Sequence, residues 1–183
     1  QDVAAWFNSY AAFINKYAAL AEAHQVDMLV IGTELRSMAV SGNRAYWESI
    51  VAGIRQVYSG PLAYAANWDD YDNVCLWDLV DVVGIDAYFP LSPAQDPSLE
   101  ELMAAWSGYD DQGVRRNWVQ ELTDFQAATG KEIMFTEIGY RSADHAAREP
   151  WKAVEQQPFN EDLQTRCLQA VWRVFQDKPW FAG

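Results

Sequence analysis

Four short apolar runs, each closing on a polar residue and each set off by a stretch with helical spacing, most constrain what this 183-residue chain can fold into. Residues 28–31 lead into Gly32-Thr33-Glu34, and residues 61–66 into Asn67-Trp68-Asp69-Asp70. Residues 80–85 lead into Asp86 and then Ala87-Tyr88-Phe89-Pro90-Leu91, and residues 133–135 into Thr136-Glu137-Ile138-Gly139. Such runs read as strands covered on both faces. Strands alternating with helices predict a parallel sheet with right-handed crossovers.

The intervening segments carry apolar side chains at three- and four-residue steps. Trp6, Tyr10, Phe13, Tyr17 and Leu20 form one stripe, and Trp47, Ile50, Val51, Ile54, Val57 and Tyr58 another, which Gly60-Pro61 ends. Ser98 caps a helix ahead of Glu100-Glu101, a longer helix carries Val114, Trp118, Leu122 and Phe125 up to Gly130, and the last holds Leu163, Cys167, Ala170, Val171, Val174 and Phe175. Residues 180–183 read as the start of one more strand. An eight-stranded barrel takes typically about 250 residues, so the expected fold is α/β, the later part of a (β/α)8 barrel, as a single domain over 1–183. A doubly wound open sheet is the runner-up. Against it, Gly32 and Gly84 stand alone, with no phosphate-binding glycine pattern around them. Half a barrel leaves strand edges unpaired, so the chain is expected to need the missing strands from elsewhere in the protein, or a second copy of itself.

The candidate chemistry lies at the strand ends, because the carboxyl ends of barrel strands form the active face. Glu34 and Glu137 occupy matching places there, each after a threonine. Two such acids are what glycosidic hydrolysis requires, one protonating the leaving oxygen and the other attacking the sugar or activating water. For both, the plainer alternative is an acid that caps the following turn.

Composition narrows the partners. A net charge of -13 argues against nucleic acid and anionic membranes, whose charge would be repelled. No apolar run approaches the roughly 20 residues of a membrane span. Nine Trp and nine Tyr suit both a core and sugar stacking, and their helical spacing favours core. Cys75 and Cys167 match no metal spacing and are expected to be reduced. His24 and His145 lack partners at ligand spacing, although His145 follows Glu137 closely enough to reach a cleft. Asp69, Asp70 and Asp72 fall short of a calcium loop and read as a solvated acidic turn. No metal and no cofactor is expected.

Taken in order, Ile31-Gly32-Thr33-Glu34-Leu35, Asn67-Trp68, the stretch from Val83 to Leu91, and Phe135-Thr136-Glu137-Ile138-Gly139-Tyr140-Arg141-Ser142 resemble glycoside hydrolase family 113. The resemblance runs over nearly the whole chain. It implies a retaining barrel glycosidase, chiefly of the β-mannanase kind, present here as about strands 4 to 7 and the start of strand 8. By position it implies Glu34 as acid/base and Glu137 as nucleophile, with Thr33 where the wider clan more often has Asn. Polysaccharide or oligosaccharide would be the substrate. Another retaining clan member, of cellulase or galactanase type, and a catalytically silent carbohydrate-binding fragment are the alternatives.

Other residues follow from what such a site needs. Tyr88, from a neighbouring strand end, is the hydrogen-bond donor expected at Glu137, with Arg36 or Arg141 as electrostatic support. Asn67 suits a sugar hydroxyl and Trp68 a stacking floor. Asp86 would orient a contact, and Tyr140 joins the candidate substrate contacts. Each has an ordinary alternative: a rim aromatic for Tyr88, turn and packing roles for Asn67 and Trp68, surface ion pairs for the arginines, and backbone amides for Asp86.

Overall fold

The expected alternation is present in the computed structural model, which describes residues 2–111, 113–153 and 157–183. The chain divides into two compact units, Gln1–Ile85 and Asp86–Gly183.

The first unit begins with helix α1 (Val3–Ala23), whose N-terminus is capped by Asp2 accepting from the Ala5 N–H at 3.1 Å. Strand β1 (Leu29–Thr33), helix α2 (Arg44–Arg55) and strands β2 (Leu62–Asn67) and β3 (Val82–Asp86) follow, with β2 between β1 and β3. β1 and β2 are parallel, pairing Leu29 with Leu62 and Thr33 with Ala65 across an irregularity in register. The core is aromatic: Trp47, fully buried, meets Phe7, Tyr10 and Tyr64 edge-on, and Tyr64 meets Trp77 in the same way. Both indoles find acceptors, Met38 O for Trp47 and Tyr71 O for Trp77.

The stripe expected on α1 is only partly covered: Trp6 and Tyr10 are half-buried, and the rest of it is exposed. Phe7, Ile14, Ala18 and Ala21 face inward, while Phe13, Tyr17 and Leu20 are 53%, 44% and 52% exposed. Two alanines share the inner face with Phe7 and Ile14, and the larger Phe13, Tyr17 and Leu20 are left outside. The aromatic stripe therefore runs from the half-buried Trp6 and Tyr10 out to solvent at Phe13 and Tyr17. On α2 the expected face is buried except Val57, which lies beyond the helix end.

In the second unit Ser98 and Glu101 form a reciprocal capping box on helix α3 (Leu99–Ala105). Val114 does not continue into a helix. It lies in a two-stranded antiparallel hairpin, β4 (Tyr109–Asp111) and β5 (Val114–Arg116), and is exposed. Gly113, at φ +88°, donates to Asp110 Oδ1 at 2.8 Å, a local bond that competes with helix. Helix α4 (Trp118–Thr129) starts from an Asn117 cap and stops at Gly130, which takes the left-handed conformation at φ +68°. Strand β6 (Ile133–Glu137) and helix α5 (Glu161–Phe175) complete the unit. Residues 180–183 run parallel to β6, through Ile133 N to Trp180 O, Ala182 N to Ile133 O and Phe135 N to Gly183 O. A strand begins where one was expected. Phe89, Trp106, Trp118, Phe135 and Phe175 form this unit's aromatic core. On α5 the opposite face leaves Trp172 64% exposed.

Candidate active site

Glu137 is the last residue of β6 and is exposed. Its backbone carbonyl accepts from the Ala87 N–H at 2.8 Å, which fixes the register of the segment after β3 and sets the next residue, Tyr88, beside it. The Tyr88 hydroxyl donates to Glu137 Oε2 at 2.8 Å. Gly139 leaves room for this: a Cβ there would lie 3.3 Å from the Tyr88 ring. Thr136 Oγ1 donates to Oδ1 of the fully buried Asp86 at 2.8 Å, bracing the same strand end from within. A carboxylate held by a phenol and otherwise open to solvent is placed as a nucleophile would be.

Glu34, in the first unit, follows β1 directly. It sits at φ +50°, an uncommon left-handed conformation for a residue with a Cβ, and its N–H donates to Ala65 O at 2.9 Å. The next residue is also held, since the Leu35 N–H donates to the Tyr64 hydroxyl at 2.9 Å. Gly32 leaves room for the same arrangement, because a Cβ there would lie 3.0 Å from both the Tyr64 ring and Leu35. The exposed carboxylate therefore stands on a turn that two strands determine. Such local strain persists only where its surroundings impose it.

The remaining candidates divide. Asn67 and Trp68 are half-buried at the end of β2. Arg36 is exposed and engaged by Asp69 and by Asp70, the latter at 2.9 Å, so it closes the acidic turn as a surface ion pair. Arg141 donates to the carbonyls of Glu149 and Lys152, bracing the loop after β6. Two expectations of substrate contact meet buried side chains. Asp86 has no exposed surface, and its role here is the bond to Thr136. Tyr140 is only 4% exposed and lies near Cys167. Burial pushes its phenol well above the usual range, and the Cys167 thiol up to about 12. The following Arg141 turns to the loop while Tyr140 turns to the core, an alternation that the sequence carries only in the pairing of Tyr140 with an inward α5 cysteine.

Asp144 and Asn160, on the segment after β6, are joined by a network that no local sequence pattern marks. Asp144, buried, accepts from Asn160 at 2.8 Å and from Gln95 at 2.6 Å, and these bonds hold its carboxyl below the usual range. Asn160 also caps α5 and donates to Asp96, which pairs with Arg166. Among the described residues no cluster of three or more His, Cys, Asp or Glu side chains could hold a metal ion, and no helix is long and apolar enough to cross a membrane.

Strands alternating with helices in a parallel sheet, with a glutamate and its tyrosine donor at a strand's carboxyl end, have the arrangement of part of an α/β barrel. The sequence profile of glycoside hydrolase family 113 matches residues 1–183, and the chain belongs to that family. Among solved structures, the family 113 β-mannanase AaManA from Alicyclobacillus acidocaldarius, determined in complex with ManMIm, is 26% identical. Its TM-score is 0.77 over 97% of this chain and 49% of that one. A family 113 β-1,4-mannanase gives 24%, 0.76, 97% and 50%. The Ruminococcus gnavus β-glucuronidase, 14% identical with a TM-score of 0.68 over 98% of this chain and 28% of its own, shares the fold. The chain thus spans about half the length of the family 113 structures. No curated protein matches it.

Proposed function

We propose that this chain supplies the later strands of a catalytic barrel that cleaves a β-1,4-linked polysaccharide, β-mannan in the first place, within the chain and with retention. The observation that carries the reading is the Tyr88 to Glu137 hydrogen bond at the end of β6 in a family 113 chain. Glu137 attacks the anomeric carbon and forms a glycosyl ester. Glu34 protonates the departing oxygen, then takes a proton from the water that hydrolyses the ester. Tyr88 orients the nucleophile, Asn67 binds a sugar hydroxyl and Trp68 a ring face. The β-mannanase names of the neighbours support mannan over cellulose or galactan.

The rest of the barrel is supplied by strands outside these residues. The exposed aromatic faces of α1 and α5 support this, since packed neighbours would cover them. Azide rescue tests the roles in the full-length protein. Glu137→Ala abolishes mannan turnover, and azide restores an α-glycosyl azide. Glu34→Ala with an activated substrate gives the β-glycosyl azide. Swapped products would reverse the assignment, and turnover that survives Glu137→Ala would end it.

A further inference from the structure

In a chain whose net charge is -13, two arginines and a histidine meet in the segment that follows the strand bearing the candidate nucleophile. Arg141, His145, Arg148, Glu149 and Gln157 line a recess of about 160 Å³ in the loop after β6. A cavity of about 150 Å³ accepts a benzene ring, so this one suits a single ring or a ring's substituent. Arg141 is four residues beyond Glu137, which by chain length places it within about 14 Å of that residue.

The charges on the wall do not cancel. The Glu149 carboxylate faces Lys152 Nζ at 3.4 Å from both oxygens. Arg141 is fixed by two carbonyls. Arg148 is exposed, and among the described residues no carboxylate pairs with it. His145, held at φ +57° with its N–H on Gln95 O, points Nδ1 at Pro93 O at 3.3 Å. With the proton on Nδ1, Nε2 is left to accept from a hydroxyl. Asp144, next to His145, is held by Asn160 and Gln95, so this part of the wall is formed before any ligand arrives. A planar guanidinium fork, an imidazole acceptor and a side-chain amide together match a carboxylate flanked by hydroxyls.

We propose that the recess lined by Arg141, His145, Arg148, Glu149 and Gln157 binds a hexuronic acid unit of the polysaccharide, selecting acidic mannan-type chains over neutral ones. The inference rests on the hydrolase reading and adds the substrate class. Arg148 meets the carboxylate, and Gln157 and Glu149 meet ring hydroxyls.

The test is calorimetric binding to the full-length protein carrying Glu137→Gln, so that affinity is read without turnover. A neutral β-1,4-mannan oligosaccharide is compared with one of the same length bearing one glucuronic acid. The acidic ligand should bind about 10-fold more tightly at low salt, the worth of one charge-assisted pair at a partly exposed site. Arg148→Gln should abolish that preference, Arg148→Lys should keep part of it, and high salt should reduce it. Equal affinities, a preference that survives Arg148→Gln, or inorganic phosphate competing as well as glucuronate would each overturn the proposal. Neutral mannan cleaved by the unmodified protein without any acidic preference defeats this inference alone. Absence of cleavage on both substrates defeats the function proposed above, and the binding comparison still decides the recess.

Discussion

Replacing Tyr88 with Phe removes one hydroxyl and leaves the ring against Gly139, so it isolates the bond to Glu137. At 2.8 Å, and with a carboxylate as acceptor, that bond belongs to the charge-assisted class, worth about 1.5–3 kcal/mol. Glu137 is exposed and Tyr88 half-buried, so the low end applies. About 1.5 kcal/mol of lost transition-state stabilisation is roughly a 10-fold fall in kcat/KM. The assay uses an aryl β-mannoside with a good leaving group, which needs no proton from Glu34 and reports on nucleophilic attack alone. The same substrate should largely spare kcat/KM for Glu34→Ala, while kcat falls because the water that hydrolyses the ester has lost its base. Folding should barely change, with Tm moving by less than about 2 °C, since an exposed acceptor regains water. An unchanged kcat/KM for Tyr88→Phe, or a fall explained by lost folded protein, would refute the reasoning.

Three further outcomes follow from the packing. Gly32→Ala would press on Tyr64 and Leu35 at 3.0 Å and should cost about 1–3 kcal/mol in urea unfolding; a neutral result would mean that the Tyr64 ring yields freely. The Asp144 carboxyl is held below its ordinary range by Asn160 and Gln95, so its contribution to stability is present above the ordinary aspartate range and is lost as pH falls through the lowered value. Asp144→Asn should therefore flatten the acid limb of a Tm against pH curve, and an unaltered limb would remove Asp144 from the account. Phe13→Gln with Trp172→Gln, on the exposed faces of α1 and α5, should reduce any concentration-dependent association of residues 1–183 in sedimentation, and association unchanged by the pair would show that these faces take no part in it.

Strand ends were the most legible part of the chain, because a buried parallel strand is a run of apolar residues and its exit is marked by a sudden polar one. That signal located Glu34, Glu137 and Tyr88 and the strand beginning at residue 180. Faces of helices were less legible. α1 is apolar nearly all round, so periodicity could not show that Ala18 and Ala21 are buried while Phe13 and Tyr17 are not. The β4–β5 hairpin is short and carries Asp and Arg, so alternation of apolar residues never arises there. The inward turn of Tyr140 and the bracing of Asp144 depend on residues over twenty and over forty positions away in sequence, Cys167 and Gln95, which no local pattern connects.

The central claim is that Glu137 forms a covalent bond to the sugar. A 2-deoxy-2-fluoro mannoside with an activated leaving group slows hydrolysis of such an ester, so the labelled full-length protein can be digested and its peptides sequenced by mass spectrometry. The account predicts one sugar per molecule, attached at Glu137, with none on the Glu137→Gln variant. A label on Glu34 or elsewhere, or hydrolysis of the substrate with no ester ever accumulating, would contradict it.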